Sequence, residues 1–311
     1  MKRIFGLIII GLILLSACAD KGALSFLDDS SLLSLKPDRE TPSSSIKPTE
    51  TLSGNSELVA TNRPKEMSTA TAVQTPTIEI CSETEGALKH LEISSVGFNE
   101  PLQFYLYLPP CYSDSASVPY PVVYLLHGQT YTDEQWVRLG VPETMNRLII
   151  AEEIYPYVIV MPYETQAFYN RYSTALTRSL IPWIEAEYNV CNRKECRAIG
   201  GISRGGGWAL YTVFQMPGLF GHLGMHSTPT FDGEQGRIRS ALRTLSAADL
   251  PRIYMDIGNS DYWYPDAYSM KEFFDVNEVP HEWIENPGKH DEVYWESHLE
   301  EYLRWYGEGF K

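Results

Sequence analysis

Ser203 sits in Gly200-Gly201-Ile202-Ser203-Arg204-Gly205-Gly206-Gly207, a Gly-x-Ser-x-Gly pattern. A serine with glycine two residues to either side fits a sharp strand-to-helix turn, because glycines remove the Cβ atoms that would collide there. Such a turn pushes the hydroxyl out of the fold. It also aims the N-terminus of the following helix at whatever the hydroxyl attacks, which favours developing negative charge. A hydroxyl is a weak nucleophile until a base takes its proton, and the base needs an orienting acid. Downstream stand Asp261, in Gly258-Asn259-Ser260-Asp261, and His290, in Asn286-Pro287-Gly288-Lys289-His290-Asp291. Together these residue types perform acyl transfer: serine attacks an ester carbonyl, histidine moves the proton, and the acid holds the imidazole.

The competing acids and bases have plainer readings. Asp256 lies inside the predicted strand RIYMDIG (252–258) and would face a sheet surface, whereas Asp261 lies just past that strand's end; Asp266 is a weaker competitor. His90, His281 and His298 fall on strand or helix faces, and His222 and His226 flank the strand after the Ser203 turn. His226 could line the pocket, but it reads better as a histidine satisfied behind the site. An oxyanion needs two donors. The N–H of Arg204, directly after the nucleophile, is one; the N–H of Gln129, in Leu126-His127-Gly128-Gln129, is the other, with the His127 side chain read as structural. Trp136, Tyr163, Trp208 and Trp263 lie on loops or helix starts near this site. Each could equally be core or lid packing, but together they point to an aromatic or sugar-linked ester. The chemistry calls for no cofactor and no metal.

The elements that must position these residues alternate. LQFYLYL (102–108) has a strand's period of two, and PVVYLLHG (121–128) and YVIVM (157–161) are apolar runs expected of strands buried on both faces. CRAI (196–199), GHLGMHS (221–227), RIYMDIG and HEWIEN (281–286) are further strands. Helices are expected over TMNRLIIAEE (144–153), STALTRSLIPWIEAEY (173–188, with a kink or restart at Pro182), WALYTVFQM (208–216) and VYWESHLEEYLRWY (293–306). This alternation predicts an α/β fold, a mostly parallel central sheet with helices on both faces, with ligands at the carboxyl ends of the strands.

Composition sets the surroundings. The chain has 311 residues and a net charge of −15, which makes nucleic acid a poor partner, since binding its phosphates needs a basic face. Met1-Lys2-Arg3 and the apolar 4–15 run form an export signal too short for a membrane span, ending in Leu15-Ser16-Ala17-Cys18. That tetrapeptide resembles a bacterial lipobox, so residues 1–18 are expected to be a lipoprotein signal, with Cys18 lipidated and the protein anchored by acyl chains at the extracytoplasmic face of the cell envelope. Residues 19–76, rich in Ser, Thr and Pro, read as a disordered linker, and 77–311 as the catalytic domain. Export leaves four cysteines in an oxidising compartment, with pairs expected as Cys81–Cys111 and Cys191–Cys196. Their spacing is wrong for zinc.

The segments YLYLPPCY (105–112), YPVVYLLHGQ (120–129), IVMPYE (159–164), IGGISRGGGWAL (199–210) and PGKHDEVYWESHLEEYLRWY (287–306) resemble the esterase family of α/β-hydrolases that includes esterase D-like enzymes, feruloyl esterases, siderophore esterases and the antigen 85 mycolyltransferases. The resemblance spans 77–311. It implies a serine carboxylic-ester hydrolase acting on a small-molecule or glycan-linked ester, with Ser203, Asp261 and His290 in the triad positions. Arg204 departs from the small or apolar residue many relatives carry there. Two alternatives stand beside hydrolysis. An acyltransferase of the antigen 85 type would use the same triad. A non-catalytic binding lipoprotein on a hydrolase fold would be expected to have lost one of the three residues.

Overall fold

The computed structural model describes residues 81–163 and 169–310. The expected lipoprotein signal with Cys18, the 19–76 linker and the first residues of the 77–311 domain lie outside them.

Alternation along the strands builds a two-sided core. In β2 (Leu102–Leu108) and β3 (Val122–Leu126), successive side chains point to opposite faces. Phe104, Leu106, Val122, Tyr124 and Leu126 enter one apolar cluster, while Tyr107, Val123 and Leu125 enter the other. The remaining strands are β1 (Ala87–Ile93), β4 (Val158–Pro162), β5 (Arg197–Ile202), β6 (His222–His226), β7 (Arg252–Gly258) and β8 (Glu282–Asn286). They form one sheet in the order β1-β2-β4-β3-β5-β6-β7-β8. β2 runs antiparallel to β1 and β4, and every pairing from β4 through β3 to β8 is parallel.

Helices cover both faces. Residues of α1 (Glu134–Arg138), α2 (Val141–Ile150) and α8 (Glu292–Glu308) fill one cluster, including Trp136, Met145, Trp295 and Tyr302. Residues of α3 (Tyr169–Ala175), α4 (Ile181–Glu187), α5 (Arg204–Gln215), α6 (Glu234–Leu242) and α7 (Tyr264–Val276) fill the other, including Tyr172, Ile184, Val213, Ile238 and Phe274. The expected restart at Pro182 takes the form of a π-helical turn over Leu176–Leu180 leading into α4. Proline has no N–H to return to the preceding turn, so the helix passes it with a wider loop.

This is the α/β-hydrolase fold expected from the sequence. The parallel register aligns the strand ends: Leu126 faces Gly201, Ile202 faces His226, His226 faces Asp256, and Gly258 faces Asn286. Every loop that leaves these ends, from Gln129 to His290, therefore emerges on one edge of the sheet.

Cys81 is bonded to Cys111 and Cys191 to Cys196, the pairing expected. Among the described residues, the one His, Cys and carboxylate cluster close enough to hold a metal is Cys81, Glu83 and Cys111, and its two sulfurs are bonded to each other.

Candidate active site

Ser203 occupies the turn between β5 and α5 with φ 55° and ψ −121°, a region that disfavours any residue with a Cβ. Its N–H donates to the His226 carbonyl at 2.7 Å, tying the turn to β6. The flanking glycines are required by close approach. A Cβ on Gly201 would lie 2.5 Å from the Gly205 carbonyl carbon, and one on Gly205 would lie 2.5 Å from the Leu126 carbonyl oxygen.

Three loops converge on the hydroxyl. The His290 Nε2 stands 2.9 Å from Ser203 Oγ, and its Nδ1 stands 2.8 Å from Asp261 Oδ2. With Nδ1–H donating to the carboxylate, Nε2 is free to accept from the serine hydroxyl. The other Asp261 oxygen accepts the Trp263 N–H at 2.8 Å, at the start of α7. The Asp261 carboxylate is wholly buried and the imidazole is only 7% exposed, so their attraction is little screened by solvent. The imidazole ring is flanked by Tyr262 (centroids 4.6 Å apart) and by the edge of Trp295 (5.1 Å). Trp295 is fixed in turn by its indole N–H on Ser227 Oγ at 3.0 Å.

A cavity of about 380 Å³ opens above the serine, with Gln129, Arg204 and His290 among its lining residues. The loop carrying Gln129 is held from behind. Gln135 Oε1 accepts the Gly128 N–H at 2.7 Å, and the Trp136 indole N–H donates to the Leu126 carbonyl at 3.0 Å. His127 is buried, with Nδ1 2.7 Å from the Gly128 carbonyl oxygen. Burial pushes the imidazole pKa down to about 4, so it stays neutral. That is the structural part expected of it.

The cavity wall differs from the sequence expectation. Of the four aromatics expected there, Trp263 lines it. Trp136 is instead a core residue that anchors the β3 loop. Trp208 is buried against Tyr172, with the Arg204 guanidinium folded back over it at 5.3 Å. Tyr163 stacks behind His127, with ring centroids 5.7 Å apart. The aromatic wall is completed by Tyr131, Phe231, Tyr262 and Trp295. Two of these have a signal in the sequence: Tyr262 adjoins Asp261, and Trp295 follows His290 by little more than one helical turn. Asp256 and His226, the competing acid and base, pair with each other at 2.7 Å and are both buried away from the cavity.

Comparisons with known proteins agree with this architecture. The family described as "Putative esterase" matches residues 95–306. A ferulic acid esterase of known structure, 24% identical, superposes with a TM-score of 0.65 over 73% of this chain and 99% of its own. A ferulic acid esterase from Anaeromyces mucronatus, 20% identical, gives 0.59 over 74% and 93%. The S-formylglutathione hydrolase of Staphylococcus aureus, 16% identical, gives 0.58 over 71% and 98%. At these identities the structural likeness concerns the fold. An endo-1,4-beta-xylanase/feruloyl esterase of Xylanibacter ruminicola is 28% identical over 127 residues, 37% of this chain but only 18% of that relative's length.

Proposed function

This chain belongs to that esterase family, and we propose that it cleaves carboxylic esters through an acyl-enzyme on Ser203, with His290 as base and Asp261 as its orienter. The observation that carries this reading is the hydrogen-bonded chain Ser203–His290–Asp261 on the floor of an aromatic-walled cavity. As Ser203 Oγ bonds to the ester carbonyl carbon, its proton passes to His290 Nε2. The carbonyl oxygen becomes an oxyanion and accepts from the backbone N–H groups of Gln129 and Arg204. Asp261 stabilises the imidazolium without taking its proton. Collapse of the adduct breaks the bond to the alcohol, which leaves with the proton from Nε2. Water, deprotonated by the same nitrogen, then attacks the acyl carbon; the bond to Ser203 Oγ breaks, Oγ takes the proton back from Nε2, and the acid leaves.

The aromatic wall and the named activities of the feruloyl esterase relatives support an aromatic acyl group, attached to a small alcohol or a glycan. The proposed location is the extracytoplasmic face of the cell envelope, with Cys18 as the lipid anchor. The two disulfides support an oxidising compartment.

The test uses the full-length protein with 4-nitrophenyl acetate and methyl ferulate. Wild type is expected to hydrolyse esters and to be labelled on Ser203 by a fluorophosphonate probe, while Ser203→Ala does neither. Asp261→Asn keeps the fold but lowers kcat by about 10⁴-fold, because the imidazole is held in the wrong tautomer. A wild type that is inert and unlabelled sinks the proposal. An added alcohol acceptor separates hydrolysis from acyl transfer by the product formed.

A further inference from the structure

Behind the serine turn lies a buried polar cluster that the reaction does not use. Asp256 on β7 accepts from three donors: His226 Nδ1 at 2.7 Å, the Tyr294 hydroxyl at 2.9 Å and the Tyr302 hydroxyl at 2.7 Å. The Tyr306 hydroxyl lies 3.1 Å from the other nitrogen of His226. Three donors on one carboxylate meet the cost of burying it. The two phenols on Asp256 share one oxygen, Oδ2, yet they stand at different places on α8. Tyr302 is in the middle of the helix. Tyr294 is in its first turn, four residues after His290.

Tyr294 touches the His290 loop at two points and the sheet at a third. Its N–H donates to Asp291 Oδ1 at 3.0 Å, capping α8 at the residue after His290. Its ring packs so closely on Gly288, two residues before His290, that a Cβ there would overlap it. Its hydroxyl ties this assembly to Asp256 at the sheet. Burial is the main reason both phenols are pushed far above the ordinary tyrosine pKa, so both remain O–H donors at every working pH.

We propose that Tyr294 is a positioning residue for His290, using its bond to buried Asp256 to set the loop that carries the imidazole. The inference rests on the esterase reading above, in which His290 is the base.

Tyr302 supplies the control, since Tyr294→Phe and Tyr302→Phe each remove one hydroxyl from the same carboxylate oxygen. Both are expected to lower the unfolding midpoint. Tyr294→Phe is expected to lower kcat by about tenfold or more with KM within about twofold, because a small misplacement of a reacting group costs rate rather than binding. Tyr302→Phe leaves kcat within about twofold of wild type. The downfield proton resonance of the His290 Nδ1–H should shift or broaden in Tyr294→Phe and stay in place in Tyr302→Phe. Equal kcat losses in the two variants, or an unchanged kcat in Tyr294→Phe, overturn the proposal. If Tyr294→Phe does not fold, Asp256→Asn, which weakens the acceptor of the same bond, is expected to lower kcat with KM within about twofold, and an unchanged kcat there overturns the proposal equally. A wild type inert toward esters would sink the esterase reading, but the resonance comparison needs no substrate and would still decide where Tyr294 holds His290.

Discussion

Ser203 carries two demands that conflict: it must present a hydroxyl, and it must adopt a backbone conformation that suits glycine. Its φ of 55° with ψ of −121° is maintained by the N–H bond to His226 and by the glycines packed around it. Strain of this kind costs about 1–3 kcal/mol. Removing the hydroxyl while keeping the Cβ leaves that cost in place; removing both relieves it, against a smaller entropic loss from a freer unfolded chain. Ser203→Gly should therefore be inactive but more stable than Ser203→Ala, by about 1 kcal/mol, as measured by urea unfolding. Equal stability of the two variants would mean that the turn is relaxed and the strain argument fails.

The elements divide into those that must touch at the site and those that need not, and glycine reports the difference. In the first turn of α5, Gly205 faces the loop after β3: a Cβ there would meet the Leu126 carbonyl at 2.5 Å and the His127 carbonyl at 2.6 Å. Both are backbone atoms with no rotamer to escape into. In α6, a Cβ on Gly236 meets nothing within 4 Å. Alanine gains about 1 kcal/mol over glycine in a helix, whereas overpacking costs about 1–3 kcal/mol. Gly236→Ala should thus stabilise the protein by about 1 kcal/mol. Gly205→Ala should destabilise it and lower kcat, since it drives apart the segments bearing the Gln129 and Arg204 amides. Thermal unfolding and ester turnover check both signs. The strands and the elbow are legible in sequence because their signals are local: a period of two, an apolar run, a glycine pair around Ser203. The edge strand β1, mostly exposed, and the polar helix α6 carry weak periodicity and are not. The cavity wall is only partly legible, for a different reason. Tyr131, Phe231 and Tyr262 come from loops after β3, β6 and β7, and Trp295 from the start of α8 after β8; they meet only through the sheet register, while Trp136, near in sequence to Gln129, turns inward to the Leu126 carbonyl.

At the scale of the whole molecule, buried titratable groups outside the proposed triad influence how stability follows pH, and they act in opposite senses. His127 and His222 are both pushed by burial from the ordinary 6.5 down to about 4. Below pH 6.5 the unfolded chain takes up protons that the folded one refuses, so both histidines withdraw stability as pH falls toward 4. Glu234, at the start of α6, is buried with one oxygen accepting the Phe231 N–H at 3.1 Å and the other unpartnered. Burial pushes its pKa from 4.5 up to about 7. Between these values the folded state holds the extra proton, so stability declines as pH rises from 4.5 to 7 and stays reduced above. Glutamine resembles the protonated acid, can still accept from Phe231, and carries no such penalty. Glu234→Gln should match wild type near pH 4.5 and exceed it at pH 8 by about 3 kcal/mol, the linkage value of a shift this size. Its stability should also fall more steeply than that of wild type between pH 7 and 5, because the loss from the two histidines is no longer offset by the gain from Glu234. Urea midpoints of both proteins at pH 4.5, 6 and 8 read this directly. A difference that does not grow with pH would mean that Glu234 is ionised in the folded protein, balanced by neighbouring charge such as Arg237 rather than neutral in an apolar setting.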